Sequence, residues 1–379
     1  MKKKKILIVA GEASGDLHAA FLVNAIKTVN PHIEIFGIGG KLMKDQGVHI
    51  LHDIVEFAVV GFVEIIKHLK TFKNIFNELL ALLDKKKPDA VVLVDYPGFN
   101  LRFAKHVKAK NIPVIYYISP QIWAWGQNRI SEIKKCVDKM IVVFGFEEEL
   151  YKQAGIKVHF VGHPFLDIVK PSQKKEGIIK ISHIKPHTLK IALLPGSREK
   201  EIEKHLPVML KACELIKKEL PNTEFILSRR RELGRSIYNR NISSSRIKPH
   251  SAEDRPYDIL EISDLVIVSS GSATLETAIM QRPMVVIYKT SFITWLLAKA
   301  MIKIPNIALV NIVAGKRIVP ELIQFQVTPE NIAKNALEIL KDPSRQKHIR
   351  HELKDVKKKL GEQGAASRAA HIITTTLFK

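Results

Sequence analysis

Two stretches of this chain open in the same way. Lys5–Asp16 reads KILIVAGEASGD and Lys190–Glu201 reads KIALLPGSREKE: an apolar run of strand length, a glycine turn, then helix-forming residues. A strand that hands its end to a tight turn and a helix N-terminus begins an α/β unit, so two such openings predict two doubly wound halves. The length of 379 residues is enough for two domains, each with its own core. In the second opening, Gly196, Ser197 and Arg198 fall at the turn and Glu201 within the first helical turn. Free backbone N–H groups, the positive end of a helix dipole and a guanidinium there suit a phosphate. A turn glycine beside a surface arginine accounts for the same four letters equally well.

The first opening has a different chemistry. Gly11 and Gly15 allow close backbone approach, but the loop has neither the lysine of a P-loop nor the GxGxxG spacing of a dinucleotide fingerprint. Glu12 and Asp16, with Ser14 between them, repel phosphate; they suit sugar hydroxyls, or alternatively cap the helix.

Charge narrows the partners. There are 60 Lys and Arg against 38 Asp and Glu, a formal net charge of +22, which favours an anionic partner: nucleic acid, anionic lipid or a phosphorylated metabolite. Aromatic RNA-binding signatures, zinc ligands and a basic recognition helix are not recognisable, so no nucleic acid partner is expected. Cys136 and Cys213 are far apart and belong to no CxxC or Cys/His cluster, which argues against a disulfide framework or a zinc site and for a reducing cytosol. The start MKKKKILIVA leads into GEASGD without a cleavage pattern and reads as a first strand rather than a signal peptide. No run of ~18 unbroken apolar residues spans a bilayer, so a soluble or peripheral protein is expected.

Further along, Phe57–Leu83 places apolar residues close to helical spacing, with Lys67, Lys70 and Lys73 interleaved. Its later half reads as the core face of a helix. Its earlier half is apolar on too many sides for one core face, and Phe62, Ile65, Ile66, Leu69 and Phe72 form a candidate membrane patch with lysines beside it. Ala90–Val94 is a buried parallel strand by pattern and ends at Asp95, where a carboxylate stands at the edge of an open α/β sheet and serves as a general base, or merely as a turn or cap residue. The strand Val114–Ile118 leads to Trp123 and Trp125, flat apolar faces for a sugar ring or acyl chain, or ordinary packing.

The predicted boundaries are 1–170 for the first domain, a Lys- and Pro-rich linker over 170–187, 188–345 for the second domain, and a helical tail over 346–379 that packs against an N-terminal domain. In the second domain, Gly271, Ser272, Ala273 and Thr274 form a small-residue turn at a helix start, suited to a diphosphate. Glu276 follows one turn on, placed for two vicinal ribose hydroxyls or for a capping box. The apolar stretch Ile293–Ile302 reads as a helix, Asn311 lies in the loop after it, and Glu321 and Gln324 sit near a helix start; Ser228–His250 has no clear pattern.

GEASGD, VDYPGFN at 94–100, SPQIWAW at 119–125, VGHP at 161–164, LLPGSR at 193–198 and SGSATLE at 270–276, in this order, resemble the lipid-A-disaccharide synthase family. The resemblance implies an α/β protein of GT-B type, two Rossmann-like domains facing across a cleft. It further implies an inverting, metal-independent and cofactor-free transferase. Such an enzyme joins the sugar of UDP-2,3-diacylglucosamine to the 6-hydroxyl of 2,3-diacylglucosamine 1-phosphate, giving a β-1,6 disaccharide 1-phosphate and UDP. Carried onto this chain, it makes Asp95 the base, places Gly196, Ser197, Arg198, Glu201, Gly271, Ser272, Ala273, Thr274, Glu276 and Asn311 at the donor, and places Gly11, Glu12, Ser14, Gly15, Asp16 and Trp123 at the acceptor. Where the family has Leu-Pro-Asn, this chain reads Leu309-Val310-Asn311. Acylated substrates imply work at the cytoplasmic face of the inner membrane. A homodimer, and exchange of the tail between copies, are left open, and the runner-up is another GT-B transferase or epimerase acting on a UDP-sugar.

Overall fold

The computed structural model describes residues 3–53, 69–124, 126, 129–181, 184–292, 295–296 and 305–378. The chain divides into two compact units, residues 1–164 with 360–379, and residues 165–359.

In the first unit, β1 (Lys5–Ala10), β2 (Glu34–Gly39), β3 (His49–Asp53), β4 (Ala90–Val94), β5 (Val114–Tyr117), β6 (Lys139–Val142) and β7 (Val158–Phe160) pair in the order β3-β2-β1-β4-β5-β6-β7. Every pairing is parallel. Ile6–Ala10 and Ala90–Val94 are fully buried, which is why these strands are continuous apolar runs: helices cover both faces of a parallel sheet. Each large side chain so enclosed contributes about 1.5–3 kcal/mol. The helix Leu69–Lys86 buries Ile75, Leu79 and Leu83 at four-residue spacing, and Phe76 meets Phe99 and Phe103 edge-on at 5.4 and 5.8 Å. This half of the long apolar stretch is therefore core face.

The second unit repeats the design with β8 (Leu189–Leu194), β9 (Thr223–Arg229), β10 (His250–Glu253), β11 (Leu265–Ser269), β12 (Met284–Tyr288) and β13 (Glu321–Ile323), in the order β10-β9-β8-β11-β12-β13 and again all parallel. In both sheets the order reverses beside the first strand, between β1 and β4 and between β8 and β11. There consecutive connections leave to opposite sides and the carboxyl ends of the two strands border a crevice, the place where open α/β sheets take ligands.

The boundaries differ from those expected. The segment read as a linker contains the helix Lys175–Ile181 and belongs to the second unit, as does the helix Pro343–Lys359; the tail starts at Leu360 rather than at 346. From there the helix Ala365–Leu377 packs on the helix Ala13–Val29 of its own chain. Arg368 pins it by donating from Nε and an η nitrogen to the Val161 carbonyl at 2.9 and 2.7 Å, and Lys139 Nζ reaches Thr376 Oγ1 at 2.7 Å. Sequence pattern did not find the boundary because residues 343–359 are as charged and helical as a free tail, and their partners are set by tertiary packing.

Candidate active site

Four neighbouring strands of the first sheet bring their carboxyl ends together at its switch point. β1 delivers Gly11 and Glu12, β4 Asp95 and Tyr96, β5 the loop to Trp123, and β6 the turn to Glu147. Asp95 and Tyr96 adopt left-handed backbone, φ 47° and 48°, conformations that cost roughly 1–3 kcal/mol each in non-glycine residues and persist where the surroundings enforce them. The sequence VDYPGFN supplies the enforcement. Pro97 starts the helix Pro97–Ala109, and Asn100 Nδ2 donates to the carbonyls of Val94 and Asp95 at 3.2 and 2.7 Å. Tyr116 Oη donates to the same Asp95 carbonyl at 2.5 Å, and Asp95 N donates to the Tyr117 carbonyl at 3.1 Å. With its backbone held from both sides, the Asp95 side chain is aimed by the fold. Gly11 completes the packing, since a Cβ there would lie 2.2 Å from the Tyr96 ring.

Electrostatics set Asp95 apart from an ordinary carboxylate. Burial, with the nearby charge of Glu12 adding to it and the Tyr96 backbone N–H opposing, pushes its carboxyl up from 3.8 to about 7. Glu12 is half-buried at the N-cap of Ala13–Val29 and makes no side-chain cap bond, so the capping alternative does not describe it. Trp123 donates its indole N–H to Glu147 Oε1 at 2.9 Å and meets the Phe146 ring edge-on at 5.3 Å. Two histidines, His18 and His163, are kept neutral by burial, at about 4 and about 3, the second also by the first.

The second sheet ends in two turns at its own switch point. β8 ends at Pro195-Gly196-Ser197, with Gly196 at φ 136°, and feeds the helix Glu199–Glu219. Ser197 N donates to Glu201 Oε2 at 2.8 Å, Arg198 lies 4.0 Å from Glu201 Oε1, and the Arg198 side chain is exposed. His205, fully buried, ties this turn to the neighbouring strands: Nδ1 donates to the Pro195 carbonyl at 2.8 Å and Nε2 accepts from Lys289 N at 2.9 Å. β11 ends at Ser270-Gly271, where Gly271 has φ 143° and open space where a Cβ would stand, and the helix Ser272–Ile279 begins at once. Thr274, counted from sequence among the donor contacts, is buried, and its N–H and hydroxyl both return to the Gly271 carbonyl, at 3.1 and 2.8 Å. Glu276 accepts from Tyr257 Oη at 2.9 Å; burial raises its carboxyl, while Tyr257 and the Arg230 charge oppose.

Comparison with known proteins fits this architecture. The family described as "Lipid-A-disaccharide synthetase" matches residues 6–375. The lipid-A-disaccharide synthase of Syntrophus aciditrophicus is 42% identical over 382 residues, covering 100% of this chain and 99% of that protein. That of Geobacter metallireducens is 40% identical, covering 99% and 98%. The chain belongs to the lipid-A-disaccharide synthetase family. It is therefore a glycosyltransferase. Among solved structures, a UDP-GlcNAc 2-epimerase from Neisseria meningitidis bound to UDP-GlcNAc superposes with a TM-score of 0.61 at 16% identity, covering 99% of each chain. A glycosyltransferase from Rickettsia africae superposes with a TM-score of 0.59 at 14% identity, covering 100% of each. At such identities these structures establish the shared GT-B fold and nothing finer.

Within this family member, several residues singled out from sequence turn out to serve the scaffold. Asp16 is buried and its two oxygens accept from the backbone N–H groups of Gly40, Leu42 and Met43 at 2.8, 3.0 and 3.1 Å, capping the short helix Lys41–Asp45. Its carboxylate is committed to that backbone turn, and a Cβ on Gly15 beside it would lie 3.7–4.0 Å from Ala10 and Val94 atoms. Asn311 is fully buried and saturated: Nδ2 donates to the Val319 carbonyl and Glu321 Oε1 at 3.0 and 2.6 Å, and Oδ1 accepts from Ile318 N and Val319 N at 2.8 and 3.1 Å. All four of its hydrogen-bonding positions are taken, so it fixes the loop before β13 and offers nothing to a nucleotide. Glu321 opens β13, and the short 3-10 helix Gln324–Gln326 starts directly after that strand, at Gln324. Glu276 is no capping-box residue, because the N-cap is Gly271 and Oε1 belongs to Tyr257.

Of the expected membrane patch, Phe62, Ile65 and Ile66 lie outside the described residues, Leu69 begins the helix Leu69–Lys86, and Phe72 is half-buried on it. Trp125 and most of 293–302 lie outside them as well. Sequence reading missed Glu147, His205 and Tyr257. Glu147 carries a signal in retrospect: Phe144-Gly145-Phe146-Glu147 follows β6 as a strand, turn and helix start, the same junction that singled out Gly11 and Gly196.

Proposed function

We propose that this chain transfers 2,3-diacylglucosamine from its UDP derivative to the 6-hydroxyl of 2,3-diacylglucosamine 1-phosphate, with inversion, giving the β-1,6 lipid A disaccharide 1-phosphate and UDP. The observation that carries the mechanism is Asp95, held at the switch point of the first sheet with its carboxyl raised to about 7. A base with that affinity accepts a proton near neutral pH without being permanently protonated. As Asp95 takes the acceptor proton, the 6-oxygen forms a bond to the anomeric carbon from the face opposite UDP. The bond from that carbon to the diphosphate oxygen breaks, and its electron pair leaves with UDP.

The second unit carries the donor. The Gly271–Ala273 amides at the start of the helix Ser272–Ile279 and the exposed Arg198 guanidinium meet the diphosphate charge that grows as UDP departs. Ser197 N and Gly196 belong to the same turn, and Glu201 holds that turn closed over Gly196. Glu276, oriented by Tyr257, takes the ribose hydroxyls. On the acceptor side stand Gly11, Glu12, Ser14 and Trp123. No metal and no organic cofactor enters the reaction.

Both substrates are acylated, and so the reaction belongs at the cytoplasmic face of the inner membrane. Among the described residues no helix is long and apolar enough to cross a membrane. The second unit exposes an aromatic cluster in which Phe292 and Phe325 are 57% and 68% accessible and Trp295 lies 5.7 and 5.3 Å from them, a surface suited to lipid contact. NMR of the isolated product tests the stereochemical course: a β-1,6 linkage supports single displacement with inversion, and an α linkage would overturn it.

A further inference from the structure

Glu147 is only 1% exposed, and its situation is costly for a carboxylate. Oε1 accepts the Trp123 indole N–H at 2.9 Å, and the Ser119 hydroxyl and the Phe144 backbone N–H stand near enough to favour the charged form, although Oε2, buried, completes no hydrogen bond of good geometry among the described residues. Holding an indole N–H needs only one neutral acceptor oxygen, so a carboxylate buried this deeply is unfavourable for folding alone. Burial raises it to about 7, against the hydrogen bonds of Trp123, Ser119 and the Phe144 backbone N–H, with the charge of Asp95 adding to the rise. The place is equally specific. Glu147 lies in the first turn of the helix Gly145–Gln153 after β6, Trp123 follows β5, and β5 lies between β6 and the strand that ends at Asp95.

We infer that Glu147 is a positioning residue for the acceptor sugar: its carboxylate holds the Trp123 indole by its N–H in the loop after β5, the strand beside the one that ends at Asp95, and so fixes where the acceptor ring lies when its hydroxyl meets the base. The inference rests on the reading of Asp95 as base and Trp123 as acceptor contact. Phe146 meets the indole at 86° with ring centroids 5.3 Å apart, so that the ring has one polar and one apolar contact. Losing the polar contact lets the ring turn, which weakens recognition of the acceptor and leaves the donor untouched.

The test is a set of steady-state measurements on Trp123→Phe, Glu147→Leu, Glu147→Gln and the double variant Trp123→Phe/Glu147→Leu, with KM determined separately for donor and acceptor. Trp123→Phe and Glu147→Leu should each raise the acceptor KM about ten-fold, the size expected for a charge-assisted hydrogen bond. The donor KM should stay within about two-fold, Glu147→Gln should recover most of the loss because its amide oxygen accepts the same bond, and the double variant should be no worse than either single one. An unchanged acceptor KM in Trp123→Phe, equal rises for donor and acceptor, or multiplying losses in the double variant would each overturn the inference. So would a Glu147→Gln enzyme as impaired as Glu147→Leu. Should Glu147→Leu fail to fold, Trp123→Phe and Glu147→Gln decide the matter alone. Wild-type turnover by Asp95→Asn would instead point to failure of the underlying assignment of the base.

Discussion

Asp95→Asn should make the protein more stable as it makes it inactive, and the gain should depend on pH. The rise of the carboxyl from 3.8 to about 7 means that the folded protein holds the ionised form less favourably than the unfolded chain does. At 1.36 kcal/mol per pH unit the ceiling is on the order of 4 kcal/mol. Asp95 keeps part of its surface accessible, and solvent recovers some of this, so about 2 kcal/mol is expected. The sign follows from linkage. Below about pH 4 both states are protonated and the wild type loses nothing. Between 3.8 and about 7 the unfolded chain releases its proton first and the native state falls behind, and above about 7 the whole cost is present. Asn, neutral throughout, escapes it. Thermal melts of both proteins at pH 5 and pH 8 read the difference directly: the variant should melt about 4–8 °C higher at pH 8 and much closer to wild type at pH 5. Its turnover should drop by about 10²–10⁴, as for removal of a general base. An advantage that is absent or the same at both pH values, or turnover at the wild-type rate, would refute the reasoning.

Other expectations follow from the same geometry. Wild-type kcat/KM for the acceptor should rise with pH to a plateau through a midpoint near 7, because the ionised Asp95 is the active form; a flat profile between pH 6 and 8 would argue against it. Arg198→Ala should weaken UDP binding about 10- to 100-fold by calorimetry without moving the melting temperature, since the side chain is exposed and its ion pair with Glu201 is long, at 4.0 Å. Asn311→Ala should do the reverse, costing about 2–3 kcal/mol of stability by stranding the buried partners of Asn311 while the folded fraction binds UDP as tightly as wild type. Phe292→Ser with Phe325→Ser should reduce sedimentation with anionic phospholipid vesicles and leave the melt unchanged, both side chains being exposed; equal sedimentation of variant and wild type would remove the aromatic cluster as a lipid contact.

What the sequence made legible was the part of the structure governed by local rules. Ile6–Ala10 and Ala90–Val94 declare buried parallel strands by unbroken apolar runs, and the glycines at 11, 196 and 271 mark the turns at their ends or at those of their counterparts. Those rules also located Asp95, because a polar residue directly after such a strand has only the sheet edge to occupy. They could not separate Glu12, which is left uncapped at that edge, from Asp16, whose oxygens are consumed by a backbone turn 24–27 residues away in sequence. The same limit applies to Asn311: its motif context suggested a ligand contact, whereas its partners Val319 and Glu321 are assembled by the loop closing on itself. His205 and Tyr257 were invisible for a related reason, since each acts through a residue brought near only when β8, β11 and β12 stand side by side.

The most direct test of the central claim is a mass-spectrometric assay of the purified protein with UDP-2,3-diacylglucosamine and 2,3-diacylglucosamine 1-phosphate, with EDTA present throughout. The account predicts a disaccharide 1-phosphate and an equimolar amount of UDP, formed at the same rate with and without the chelator. Folded protein that binds UDP but yields no disaccharide from this pair would contradict it and direct attention to other donors and acceptors.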